Sequence, residues 1–126
     1  PLFRYADVLL MYVEAQVRKD GTANSTSVGY INDLRQRANG GSTVANVSSS
    51  NITLDFIIDE RARELHWEGH RRQDLIRFNK YTGGNYNWAW KGNGANGIGL
   101  SHHLKLYPIP EAALASNPNL TQNPGY

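Results

Sequence analysis

The sequence predicts an all-α protein built from antiparallel helix pairs joined by long irregular loops. Three observations carry this expectation. Apolar residues recur with helical periodicity over residues 2–19, 27–38 and 54–68. Glycine follows each run, at Gly21, Gly40-Gly41 and Gly69, and glycine ends helices by taking the left-handed conformation. Thr53 stands just before the third run, where a hydroxyl can cap the first free N–H groups of a helix.

In the first helix, over 2–19, the polar residues Arg4, Asp7, Glu14 and Arg18, with Met11 in the middle slot, step by three and four. They draw one narrow stripe. Nearly everything else there is apolar, and a helix apolar over most of its circumference packs on several sides. We expect its Leu9, Leu10 and Val13 face to meet upstream chain or a second copy. The pattern begins at Pro1 with no leader before it, which fits a piece of a larger protein. The second helix, 27–38, offers Val28, Ile31, Leu34 and Ala38 inward, and Ser/Asn/Val-rich residues 42–51 read as a surface loop. The third, 54–68, offers Leu54, Ile57, Ile58 and Leu65. A short fourth helix fits 73–80, and a fifth, 111–115, follows the extended Leu106-Tyr-Pro-Ile-Pro110.

Between them, over 81–103, periodicity fails. Six of the seventeen residues from Gly83 to Gly99 are glycine, which leaves regular helix unfavourable. A structureless loop of this length is functional or is ordered by packing. The coarse outline of helix pairs resembles tetratricopeptide architecture, without visible 34-residue self-similarity.

Composition narrows the function. The 126 residues can form one domain with a real core, burying roughly two thirds of the unfolded surface. The absence of cysteine excludes disulfides, thiol nucleophiles and thiolate metal sites. Thirteen cations interleave with eleven acids for a net charge of +2, which argues against a nucleic-acid surface. No apolar run reaches ~18 residues, so no helix here is expected to span a membrane.

Three patterns bear on chemistry. Glu60, Glu64 and Glu68 are four apart, and like charges at that spacing need cations from elsewhere. An acid/base pair or carboxylate metal site is the sharper reading, and an ion-pair network with Arg61, Arg63, Arg71, Arg72 or Arg35/Arg37 is favoured. His66-Trp-Glu-Gly-His70 misplaces the glutamate of a zinc-protease helix, and Gly69 interrupts the pair. All four histidines therefore read as structural or surface residues, with no metal and no cofactor expected. The glycines of 92–99 lack the Lys-Ser/Thr of a phosphate loop. The third pattern is Tyr86, Trp88 and Trp90, alternating with Asn87 and Ala89. In an extended segment, residues two apart share a side, so these rings with Asn87 form a candidate sugar platform. The competing reading is that they plug the loop into a core.

Several stretches carry a family resemblance. Arg4-Tyr-Ala-Asp-Val-Leu-Leu-Met-Tyr-Val-Glu-Ala15, Ile31-Asn-Asp-Leu-Arg-Gln-Arg-Ala38, Glu60-Arg-Ala-Arg-Glu-Leu-His-Trp-Glu-Gly-His-Arg-Arg-Gln-Asp-Leu-Ile-Arg77, Leu106-Tyr-Pro-Ile-Pro110 and Asn117-Pro-Asn-Leu-Thr-Gln-Asn-Pro-Gly-Tyr126 occur in order. Together they resemble the C-terminal part of the SusD/RagB family. The resemblance implies that 1–126 is the C-terminal portion of a longer, mostly helical SusD-like fold on tetratricopeptide-like helix pairs. It further implies a surface-exposed outer-membrane lipoprotein, anchored only through lipid on the missing N-terminal part. Such a protein is no enzyme; it captures an oligo- or polysaccharide and caps a SusC-like TonB-dependent transporter. The matched motifs look like scaffold, with Glu60, Arg61, Glu64, Glu68, Arg71, Arg72 and Asp74 as a structural polar network. The alternative is a pure interaction scaffold that docks on the transporter without touching ligand.

Overall fold

A computed structural model describes residues 2–126 and is helical: five α-helices, with no strand longer than a single bridge among the described residues. Where one domain is expected, the chain forms two compact units, dividing between Arg71 and Arg72.

The first unit holds α1 (Tyr5–Asp20), α2 (Ser25–Ala38) and α3 (Leu54–Glu64). Gly21, left-handed at φ 76°, ends α1 with its N–H on the Val17 carbonyl. A tight turn follows, and Asn24 caps α2 by accepting from Ser27 N, so α2 starts two residues earlier than expected. Gln16 accepts from Ser27 Oγ while Tyr12 meets Tyr30 edge to face at 5.3 Å, which is antiparallel register. α3 is capped by Thr53, as its sequence requires. Leu9, Leu10, Val13, Val17, Ile31, Leu34, Ile57, Ile58 and Leu65 are buried. The loop before α3 is pinned by Asn32, whose amide gives and takes backbone bonds at Val47 as a strand neighbour would.

Several expectations are corrected. α1 begins at Tyr5 rather than residue 2, because extended Arg4 (φ −136°, ψ 163°) spends its side chain on ion pairs and not on the helix. The Leu9, Leu10 and Val13 face is buried within the unit, and Asp7 and Glu14 of the polar stripe are drawn inward with it. The outward face carries Tyr5, Val8, Met11 and Tyr12 instead. In α2, Ser27 is buried where Val28 is half-buried and Ala38 exposed. α3 stops at Glu64, not 68: the chain turns through Leu65, and Trp67 takes a left-handed φ of 63°.

α4 (Arg71–Arg77) straddles the division and is two residues early and three short of the expected 73–80. Left-handed Asn79 (φ 56°) lets the N–H groups of Lys80 and Tyr81 both reach Leu75 O, closing the helix. In the second unit, α5 (Glu111–Ser116) runs one residue beyond expectation. The extended stretch before α5 is paired by side chains: Gln122 exchanges two hydrogen bonds with the Ile109 backbone, and Asn123 Nδ2 donates to Tyr107 O. Arg72 stacks on Tyr81 and Tyr107 and donates to the carbonyls of Leu104 and Lys105.

Candidate functional site

The aromatic loop is ordered by its own backbone. Gly83 N donates to Leu100 O at 2.8 Å, closing the base. Further in, Ile98 N donates to Lys91 O, and Trp90 N to Gly94 O. The two arms come so close that a Cβ on Gly99 would lie 2.5 Å from Gly83 O, and one on Gly97 (φ 76°) would overlap Trp88 O. The glycines are there for close approach as well as for turning.

This path changes the geometry of the rings. The expected extended row breaks at Trp90, whose φ of 69° and ψ of 2° open a tight turn in which Gly92 and Asn93 are left-handed as well. Tyr86 and Trp88 meet edge to face, with centroids 6.0 Å apart and planes at 67°. Tyr86 is half-buried, whereas Trp88 is 44% and Trp90 70% exposed. Asn87 is exposed, and its side chain donates to Gly84 O. Two exposed indoles on a hydrogen-bonded loop can take the apolar face of a sugar ring.

Sequence reasoning missed Lys91 as part of this arrangement. Its side chain is buried, with Nζ donating to Tyr86 O at 2.5 Å, reaching Lys80 O at 3.5 Å, and lying 5.0 Å from the Trp88 ring centroid. Burial lowers its pKa. A signal existed: Lys91 is the one cation between Gly83 and Gly99, and no carboxylate occurs between Asp74 and Glu111.

The acidic residues lie in arginine hands. Glu60 is held by Arg35 and Arg63. Glu64 pairs with Arg4 and Arg37, and its carbonyl accepts from Arg4 as well. Glu68, beyond the end of α3, still reaches Arg4 at 2.8 Å. The hydrogen bond to Glu68, followed by those to Glu64, raises the Arg4 pKa, and the same bond lowers that of Glu68. The sequence marks Arg4 as part of the α1 stripe and as the head of a family motif, and neither points to these carboxylates. Arg61 Nη2 lies 2.8 Å from Asp7 Oδ1 in a pair with both side chains buried. Arg71 donates to Ile58 O, Arg72 serves the stack already described, and Asp74 pairs with Arg77. Three carboxylates so engaged are poorly placed to move protons.

The histidines are dispersed. His70 lies beside Phe3, His66 beside Trp67, His102 bonds Thr82, and His103 bonds Ser101 and packs on Tyr126. Among the described residues, no group of three or more potential ligands is placed to hold a metal ion.

Comparison with known proteins agrees with the sequence motifs. The SusD family model matches residues 1–126. The chain belongs to the SusD family. It is 42% identical to the starch-binding protein SusD of Bacteroides thetaiotaomicron over all of this chain and 21% of that protein. It is 33% identical to the SusD-like protein P38 of Formosa agariphila, over 99% of this chain and 24% of the relative. The chain thus spans between a fifth and a quarter of the length of these family members. Among solved structures, surface glycan-binding protein A from Bacteroides uniformis superposes with a TM-score of 0.72 at 31% identity, over 96% of this chain and 26% of that one. A SusD superfamily protein from Parabacteroides distasonis superposes with a TM-score of 0.71 at 33% identity, over 98% and 26% respectively.

Proposed function

We propose that residues 1–126 form the C-terminal portion of a non-catalytic, surface-exposed glycan-binding lipoprotein of the outer membrane. Its role is to hold an oligo- or polysaccharide for a SusC-like TonB-dependent transporter, with membrane attachment through lipid on an N-terminal part. Membership of the SusD family and similarity to a starch-binding relative support the class. The observation that carries a ligand contact in this segment is the exposure of Trp88 and Trp90 on an internally bonded loop. Burying one indole face against a sugar contributes about 1–2 kcal/mol by area. The engagement of Glu60, Glu64 and Glu68 by arginines supports a non-enzymatic reading.

The test is a glycan array followed by calorimetry on the full-length protein. Trp88→Ala and Trp90→Ala are expected to weaken binding several-fold and leave the melting temperature nearly unchanged. A loss of about 3–5 kcal/mol in stability with affinity intact would instead mark the rings as packing. The outward apolar face of α1, with Tyr5, Val8, Met11 and Tyr12, favours one alternative, a segment that serves only as a docking scaffold on the transporter.

A further inference from the structure

Lys91 is the only buried residue between Gly83 and Gly99. The centre of this loop is therefore an ammonium rather than an apolar side chain. An ammonium has three N–H donors and no acceptor, and a buried charge must be satisfied where it sits. Here the surroundings are the Tyr86 carbonyl, the Lys80 carbonyl and the face of the Trp88 ring. These groups come from the residue just before the loop and from its aromatic run. A compact charge bonded to both works as an internal cross-link. Burial, which lowers the Lys91 pKa, is the expected companion of such a position.

The same contacts sort the rings. The Lys80 ammonium lies 4.8 Å from the Tyr86 ring centroid, and Tyr86 meets Trp88 edge to face. Tyr86 is thus enclosed between a cation and an indole and is half-buried. Trp88 has Lys91 against its ring yet remains 44% exposed.

We propose that Lys91 is a positioning residue for the sugar site: its ammonium closes one face of Trp88 and fixes the ring, so that carbohydrate stacks on the opposite, outer face. Tyr86 then supports the ring from the side and makes no stacking contact of its own. This inference rests on the reading of the loop as a glycan site.

The experiment uses the full-length protein, maltoheptaose as probe (a starch oligomer, after the starch-binding relative), calorimetry, and the indole ¹H–¹⁵N resonances of Trp88 and Trp67. Lys91→Met is expected to weaken binding at least fivefold and to shift and broaden the Trp88 resonance, leaving Trp67 unmoved. Lys91→Arg keeps the charge but replaces a compact ammonium with a planar fork, and is expected to weaken binding similarly. Should Lys91→Met fail to fold, Lys91→Gln, which retains two donors, takes its place with the same expected outcome. Trp88→Ala separates the two ideas. If Trp88→Ala weakens binding while the Lys91 variants bind as wild type with an unmoved Trp88 resonance, the positioning role is overturned and the site stands. Full affinity in Lys91→Arg alone would reduce Lys91 to a source of positive charge and also overturn it. Unchanged binding by Trp88→Ala, or no binding by the wild type, overturns the site and the inference with it.

Discussion

The two units are held together by different means. The first has an aliphatic interior of Leu10, Val13, Ile31, Ile57 and Ile58, each fully buried, with the Asp7–Arg61 pair sealed beside it. In the second, Leu75 is the one buried hydrophobic residue among those described, accompanied by Asp74, Thr82 and Lys91. Its order comes from backbone close approach, side-chain amides and cations over rings. Aliphatic burial is non-directional and tolerates small shifts, whereas hydrogen bonds and close backbone contacts demand particular atoms at particular places. The first unit should therefore respond to lost volume or charge, and the second to a single added methyl group.

The largest expected effect is in the first unit. Arg61→Ala leaves a carboxylate in the interior and should cost about 3–5 kcal/mol, read from urea unfolding. Asp7→Leu combined with Arg61→Met should recover most of it; a double variant as unstable as the single would mean that the pair itself holds the helices. In the second unit, Gly97→Ala puts a methyl group against the Trp88 carbonyl at a positive φ and should cost about 1–3 kcal/mol. Amide exchange is expected to rise over 83–100 with α1–α3 unaffected. Equal loosening of both units would erase the contrast.

The smallest effect is in pH, where the two units should diverge. Glu68, whose pKa is lowered from 4.5 by Arg4, binds fewer protons folded than unfolded just below that value. Its contribution to the first unit is present above 4.5 and is lost as pH falls through the folded pKa. Lys91, lowered from 10.5 by burial, also binds fewer protons folded than unfolded. The second unit should therefore gain stability as pH rises from the folded pKa toward 10.5. Exchange measured at both ends of the range, with Glu68→Gln and Lys91→Met as controls, should remove each slope separately.

The sequence made the first unit far easier to read than the second. Periodic apolar residues locate helices because burial is what makes helices persist in a fold, and Gly21, Asn24 and Thr53 mark ends by local chemistry. The errors fall where a distant group intervenes. Arg4 left the first turn for carboxylates some sixty residues away, and α3 yielded its last turn to a left-handed Trp67. Which side of α1 faces inward was equally hidden, since both sides are apolar. In the loop, the candidate rings were visible as residues, but their arrangement was not. It depends on Gly97 and Gly99 meeting backbone on the opposite arm of the loop and on a lysine turned inward, and neither leaves a periodic trace.

Lys91 has one more consequence. It is the only trypsin cleavage point between Lys80 and Lys105, and the residue is 3% exposed. A protease that must draw the lysine side chain into its own specificity pocket cannot do so while that chain is tucked under Trp88 and bonded to Tyr86 O. The glycine-rich loop has the composition of a preferred nicking site, yet its one susceptible bond is exposed only when the loop opens. When opening and reclosing outpace cleavage, the rate of nicking after residue 91 follows the population of the open form. A limited digest, followed by the mass of the two fragments, would thus time the opening of the loop without any label.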